Sequence, residues 1–398
     1  MFDNALTTAL ITGGVLGTAA AGVVAQRAWR SARAQGLDRW ACTGLQRQPW
    51  SVPTRVPDEP LEIFIAICDH YEPEWGNANP DDAMARVNQW RRDYPRLFGS
   101  FADVNGRPPQ HTFFYPQDQY RPQYLDGLRD LVTAGLGDVD VHLHHDNDTP
   151  DGLREKLETF RRDLYYQHGL LRLDPANGEI VYGFIHGNWA LNNSRRDGRW
   201  CGVDHEIPIL LETGCYADFT FPSAPSDTQP RIINRIYHAQ DCPGCRASHE
   251  RGVMAEVGKT PPPDSLLMIQ GPLGFDFGRR KWGVIPKIEN GDLLDSHPPQ
   301  IRRLPLWLQA GVTVAGKPNW RFVKLHTHGC KPSNMSMWLS DTVQQFHADL
   351  ARTHREQPQF RYHYVTAWEM AQLVRQAEQE TDGGLPLSMR TGVQPALT

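Results

Sequence analysis

The residues of this chain that could do chemistry gather just beyond short apolar runs. Asp69-His70 follows the continuous apolar run 61–68 (LEIFIAIC), and Glu72 stands two residues further on. The densest group is Asp140-Val-His142-Leu-His144-His145-Asp146-Asn-Asp148. Two residues apart on a strand, His142 and His144 leave the same face, and His145 and Asp148 fall in the turn beyond. Imidazole nitrogen with carboxylate oxygen is the ligand set of catalytic zinc and related ions. A solvated turn is the competing reading, which the apolar strand leading into the group disfavours.

His326-Thr-His328-Gly329 repeats this logic after another apolar stretch, where a histidine can exchange protons near neutral pH. The alternative there is a core histidine bonded to backbone. His186-Gly-Asn188-Trp189 sets an amide beside an indole, a pair suited to a sugar: the ring stacks and the amide bonds hydroxyls. Cys242-Pro-Gly-Cys245 has knuckle spacing without a second cysteine pair nearby, so it reads as two free loop thiols rather than a structural zinc site.

Positioning these residues requires alternating strands and helices. Apolar residues at helical spacing over 81–98 predict a helix, bent or shortened by Pro95. Strands are expected at 111–115, 139–144, 181–185, 217–221, 266–269 and 321–325. Helices are expected at 123–134, from 150 to Gly169, and from a Thr366/Glu369 capping box to about 379. That alternation predicts a parallel sheet built from βα units, with strand C-terminal ends gathering functional side chains. Stretches 186–206 and 222–262 read as long loops.

The N-terminus reads differently. Residues 4–26 carry no charge and are long enough to cross a bilayer, with Arg27, Arg30 and Arg33 directly after. By the positive-inside rule this predicts a single-pass inner-membrane anchor with the main domain cytoplasmic. The expected organisation is a membrane anchor over 1–30, a linker over 31–60, one catalytic domain over 61–380 and a flexible tail over 381–398.

Composition narrows the function. With 40% hydrophobic and 22% charged residues, the chain of 398 residues is a folded globular protein, not a disordered or collagen-like one. Its net charge of −5 offers no basic surplus for a phosphate backbone, so nucleic acid is not an expected partner. Seven cysteines spread over the chain do not suggest a disulfide framework.

Taken in order, strand-end Asp69-His70, the His142/His144/Asp148 cluster and strand-end His326 resemble the polysaccharide deacetylase family, carbohydrate esterase family four and its relatives, over about 61–375. More narrowly, the chain resembles the deacetylase-like branch associated with bacterial exopolysaccharide synthesis, including His328 after the catalytic-type histidine. The resemblance implies a distorted (β/α) barrel of the glycoside hydrolase/deacetylase type with long loop insertions. It implies Asp69 as general base, His326 as general acid, and a divalent metal, zinc first among candidates, held by His144 and Asp148 with His70 or His142. Here His70 replaces the family's second acid and Asp148 its second histidine. Glu72, His186, Asn188, Trp189, Glu206 and His328 would contact substrate.

The implied reaction is metal-assisted hydrolysis of an acetyl amide or ester. The implied partners are an acetylated amino-sugar polymer or lipid-linked glycan, the membrane through the N-terminal helix, and the polysaccharide synthesis machinery. Two rivals remain at this level. One is a glycoside hydrolase using Asp69 or Glu72 with Glu206 as paired carboxylates; the other is a non-catalytic sugar-binding component of a synthase complex.

Overall fold

The computed structural model describes residues 25–46 and 59–379. Thirteen strands are described: β1 (Leu61–His70), β2 (His111–Pro116), β3 (Gly137–Leu143), β4 (Arg172–Leu173), β5 (Ile180–His186), β6 (Cys215–Asp218) and β7 (Ile236–Gln240); then β8 (Gly252–Met254), β9 (Ser265–Ile269), β10 (Gly274–Lys281), β11 (Ile285–Glu289), β12 (Trp320–Thr327) and β13 (Phe360–Tyr364). Eleven of them form one sheet in the order β12-β1-β2-β3-β5-β6-β9-β7-β8, with β13 also on β1 and β4 on β5. Pairing is parallel from β12 through β9. The alternation of strands and helices therefore does yield a large, mostly parallel sheet.

The expected barrel is corrected. Beyond β9 the sheet adds no further parallel strand; β7 instead runs antiparallel on β9, and β8 antiparallel on β7, finishing the sheet. Among the described residues β8 and β12, at the two ends of the order, are not paired with each other. The 222–262 stretch, expected as loop, thus supplies the last two strands of the sheet, and β10–β11 form a separate hairpin.

The membrane anchor and the inner-membrane location are corrected as well. The uncharged segment falls almost wholly on residues outside those described, and among the described residues no helix is long and apolar enough to cross a membrane. Arg27, Arg30 and Arg33 are exposed on the helical stretch 25–34. The expected linker contains an amphipathic helix, Leu37–Gln46, docked on the domain. Its Trp40 is buried and stacks on Phe275 at 5.1 Å, while Asp38 pairs with Arg196 at 2.7 Å.

Strand periodicity decides what each face carries. Along β1, Ile63, Ile65 and Ile67 join the core beneath helix Pro80–Phe98, with Val87, Trp90 and Tyr94. Phe64, Ala66 and Cys68 point the other way and pack with Met370, Leu373 and Val374 of helix Ala367–Glu378. That last helix opens with the Thr366/Glu369 capping box the sequence predicts. Pro95 lies inside its helix without ending it. Extended to the strand ends, the same parity places Asp69 with the isoleucines, and His70, His142 and His326 on the opposite face.

Candidate metal centre

At the C-terminal edge of the parallel strands the imidazoles of β1, β3 and β12 converge. The His70 ring lies 4.8 Å from that of His142 and 6.4 Å from that of His326, and 4.6 Å from that of His328. Glu72, one turn beyond β1 and buried, is the hub of this group. Its Oε1 lies 3.0 Å from His144 Nε2 and 3.6 Å from His142 Nε2, and its Oε2 lies 3.2 Å from His328 Nδ1.

The hydrogen bonds on the far sides of these rings fix what they offer. His142 Nδ1 donates to the Ile185 carbonyl at 2.9 Å, so its buried Nε2 presents a lone pair and has no hydrogen-bond partner. His144 Nδ1 donates to Asp118 Oδ1 at 3.0 Å, which aims its Nε2 at Glu72, an atom that offers a second lone pair once a metal displaces its proton. Two imidazole nitrogens and a carboxylate oxygen facing one another are the donors a cation would bind. Glu72, His142 and His144 each place a ligand atom within 4.8 Å of the others, a donor set that suits a divalent transition metal. These residues fit the metal that the resemblance implies.

The electrostatics divide the histidines into two kinds. Burial opposes the Glu72 carboxylate, yet the imidazoles of His142, His144 and His328 around it hold it well below the usual carboxylate range. Burial likewise opposes charge on His144, but its bonds to Asp118 and Glu72 carry it up to about 9. His328 is raised in the same way by Glu72. In contrast, burial and neighbouring positive charge lower His70 and His326 well below the ordinary imidazole value. One face of the cluster therefore holds protons and the other holds lone pairs, the division that acid–base chemistry requires.

Access is from the side of His144, His328 and Asp118, whose side chains are partly exposed. Trp75 and Trp189, both partly buried, flank His328 with ring centroids at 4.9 and 6.2 Å. Trp189 belongs to the segment 187–194, in which Asn188, Trp189, Asn192 and Asn193 all adopt positive φ near 50–56°. Such backbone is costly for residues other than glycine and is held only by the contacts around it. Gly187, at the start of the segment, has no room for a Cβ, which would overlap the His144 ring.

The structure distributes the sequence-predicted residues unevenly. His70, His142, His144, His326 and His328 come together, with Glu72 at their centre. Asp69 does not join them: its oxygens meet His111 Nε2 at 2.9 Å and the Gly329 amide at 2.6 Å, with the side chain fully buried. Asp148 is also elsewhere, bound to His145 Nδ1 at 3.0 Å and Lys156 Nζ at 2.7 Å. His186 and Glu206 are completely buried beside His145 and contribute no exposed surface, whereas Asn188 and Trp189 lie on the rim side. His326 Nδ1 is buried without a hydrogen-bond partner, and its Nε2 lies 3.9 Å from Asp292.

Asp118 and Cys201 carried no site assignment in the sequence, and His145, part of the histidine cluster there, was not among its assigned ligands. Asp118 follows a predicted strand end and was within reach of the same rule. Cys201 is a lone loop cysteine and gave no signal. Cys242 and Cys245 are joined by a disulfide, not left as free thiols.

No family model and no curated protein matches the chain. Among solved structures it is similar to the "putative polysaccharide deacetylase from Mycobacterium smegmatis", at 13% identity and a TM-score of 0.43. That alignment covers 84% of this chain and 98% of the other.

Proposed function

We propose that this protein is a metal-dependent hydrolase that removes acetyl groups from an amino-sugar polymer or its lipid-linked precursor. The observation that carries the reading is Glu72, with both oxygens engaged by three histidines from the ends of β3 and β12, two of which turn an Nε2 towards it. Glu72, His142 and His144 would hold the ion. When bound, a divalent ion polarises the acyl carbonyl and acidifies a water.

The chain's own residues supply the proton traffic. His70 and His326, kept neutral by burial, are the lone-pair groups able to accept a proton from an attacking water. His328, held protonated by Glu72, is placed to donate to the leaving nitrogen or oxygen. Trp75 and Trp189 offer indole faces on either side of His328 on which a pyranose ring can stack. The sequence resemblance to polysaccharide deacetylases supports the acetylated sugar as substrate and exopolysaccharide synthesis as the setting. The glycoside hydrolase alternative gains nothing here, because Asp69 and Glu206 are fully buried and occupied by other partners.

The test is acetate release from acetylated hexosamine oligomers by protein stripped of metal and reloaded with zinc. Release that depends on zinc and disappears in Glu72→Gln is expected. New reducing ends without acetate would replace this reading with glycosidic cleavage.

A further inference from the structure

Behind the Glu72 cluster, and independent of the function proposed for it, lies a second convergence of ligating atoms. His145 Nε2 and His186 Nε2 face each other at 2.8 Å, and Glu206 Oε1 lies 3.4 Å from the first and 3.5 Å from the second. The outer nitrogens are already committed. His145 Nδ1 donates to Asp148 Oδ2 at 3.0 Å, and His186 Nδ1 donates to the Gly187 carbonyl. Both Nε2 atoms therefore turn lone pairs inward, onto each other and onto a carboxylate oxygen. With both rings neutral these three atoms are all acceptors, and Glu206 Oε1 is buried without a hydrogen-bond partner.

The fourth member is Cys201. Its sulfur receives backbone N–H groups from Asn193 at 3.3 Å and Val203 at 3.4 Å, and lies 3.4 Å from Glu206 Oε2. Burial and Glu206 push the free thiol up to about 11, and the two amides aimed at the sulfur would support the thiolate once a metal displaces its proton. All four side chains are buried, with ligand atoms within 4.8 Å of one another. Two neutral imidazoles, one thiolate and one carboxylate sum to the charge that cancels a divalent ion, so the filled site is neutral inside the protein. Imidazoles whose other nitrogens are pinned by a carboxylate and a carbonyl are the usual support of zinc-binding histidines.

We propose that His145, His186, Cys201 and Glu206 form a second, closed metal site that takes zinc or a similar divalent transition ion. The site is structural: four protein ligands leave no position for substrate or water. It ties the end of β5 and the turn after β3 to the loop and helix that carry Cys201 and Glu206. In doing so it braces the segment 187–194, whose Asn192 amide bonds Glu206 Oε2 at 2.5 Å. The rival arrangement is a single proton shared between the two imidazoles, with no metal.

Metal content and cobalt spectroscopy separate the two arrangements. Protein produced with zinc should carry about two equivalents, and the triple variant Glu72→Gln/His142→Ala/His144→Ala should keep about one. Cobalt(II) substituted into that triple variant should show thiolate-to-cobalt charge transfer, and Cys201→Ala should abolish the band. If Cys201→Ala does not fold, the triple variant still decides. A triple variant that binds no zinc, or cobalt-loaded protein without a thiolate band, would overturn the proposal. Neither readout depends on acetate release, so failure of the hydrolase reading would be seen separately.

Discussion

His111 Nε2 lies 2.9 Å from Asp69 Oδ2, and both side chains are completely closed to solvent. The indole of Trp90 packs on His111 at 4.9 Å and donates to the Gly329 carbonyl at 3.2 Å, while the Gly329 amide binds the second Asp69 oxygen. A carboxylate so enclosed braces the end of β1 against the loop after β12. Asp69→Ala should therefore destabilise the fold by about 3–5 kcal/mol, because a buried histidine and an amide lose their partner. Chemical denaturation measures this. Unchanged stability with abolished turnover would instead give Asp69 the general-base role that the family resemblance implies.

Glu72→Gln keeps shape and removes charge. It should lower metal affinity at the Glu72 cluster about 100-fold or more while leaving the denaturation midpoint near that of the wild type. Equilibrium dialysis with zinc, corrected for the second site with the Cys201→Ala variant, reads the loss. An unaltered affinity would mean that Glu72 is not a ligand.

Gly187→Ala probes positioning without touching a ligand. A methyl group there must push the His144 ring away from Glu72 and Asp118. We expect metal affinity to fall about 10- to 100-fold with secondary structure intact. Retained affinity would show that the ring moves without cost.

The pH dependence of stability has a marker that ligates in neither cluster. Burial pushes the Asp218 carboxyl up to about 7, against hydrogen bonds from the Thr220 amide and hydroxyl. Unfolded, it titrates near about 3.9. Between those values the folded protein binds the additional proton, so this group's stabilising contribution is complete below about pH 4 and is lost as pH rises through about 7. Asp218→Asn should remove that decline, leaving a variant whose stability relative to wild type improves as pH rises. Parallel stability–pH curves for the two proteins would contradict the assignment.

Arg172 tests a buried network between β3, β5 and β6. It bonds Asp140 Oδ1 and Asp138 Oδ1, each at 2.8 Å, while Asp140 also binds the Gly183 amide and the Tyr216 hydroxyl. Arg172→Ala should cost about 3–5 kcal/mol, read as a lower denaturation midpoint, whereas a change below about 1 kcal/mol would mark the pair as solvent-screened.

Much of the centre was legible from period two alone. His142 and His144 do share a face, and His70 and His326 come to the same strand edge because parallel pairing brings strand ends into line. The same period, carried from Ile63, Ile65 and Ile67 to Asp69, would have placed that aspartate under the helices. The family pattern, not the strand pattern, made it the base. Glu72 was read as a substrate contact because a residue past a strand end has no fixed direction in sequence. Asp148 was separated from His144 by the turn itself, whose left-handed Asn147 redirects the chain and brings Asp148 to His145 instead. The antiparallel β7 and β8 lacked an unbroken apolar run: His238 interrupts the buried β7, and β8, three residues at the edge, buries little of its surface.

The segment from His142 to His145 serves two masters. His142 and His144 feed the open cluster and His145 the closed one, so the spacing of these four residues is a joint constraint. Inserting or deleting one residue here would exchange the two sets of imidazoles between compartments, and no compensating change at a single site could restore both. Length variation should therefore be tolerated readily in the exposed turns at 174–178 or 281–284, and least of all across this stretch. A scan of single-residue insertions, scored by soluble yield and bound zinc, would map that intolerance directly.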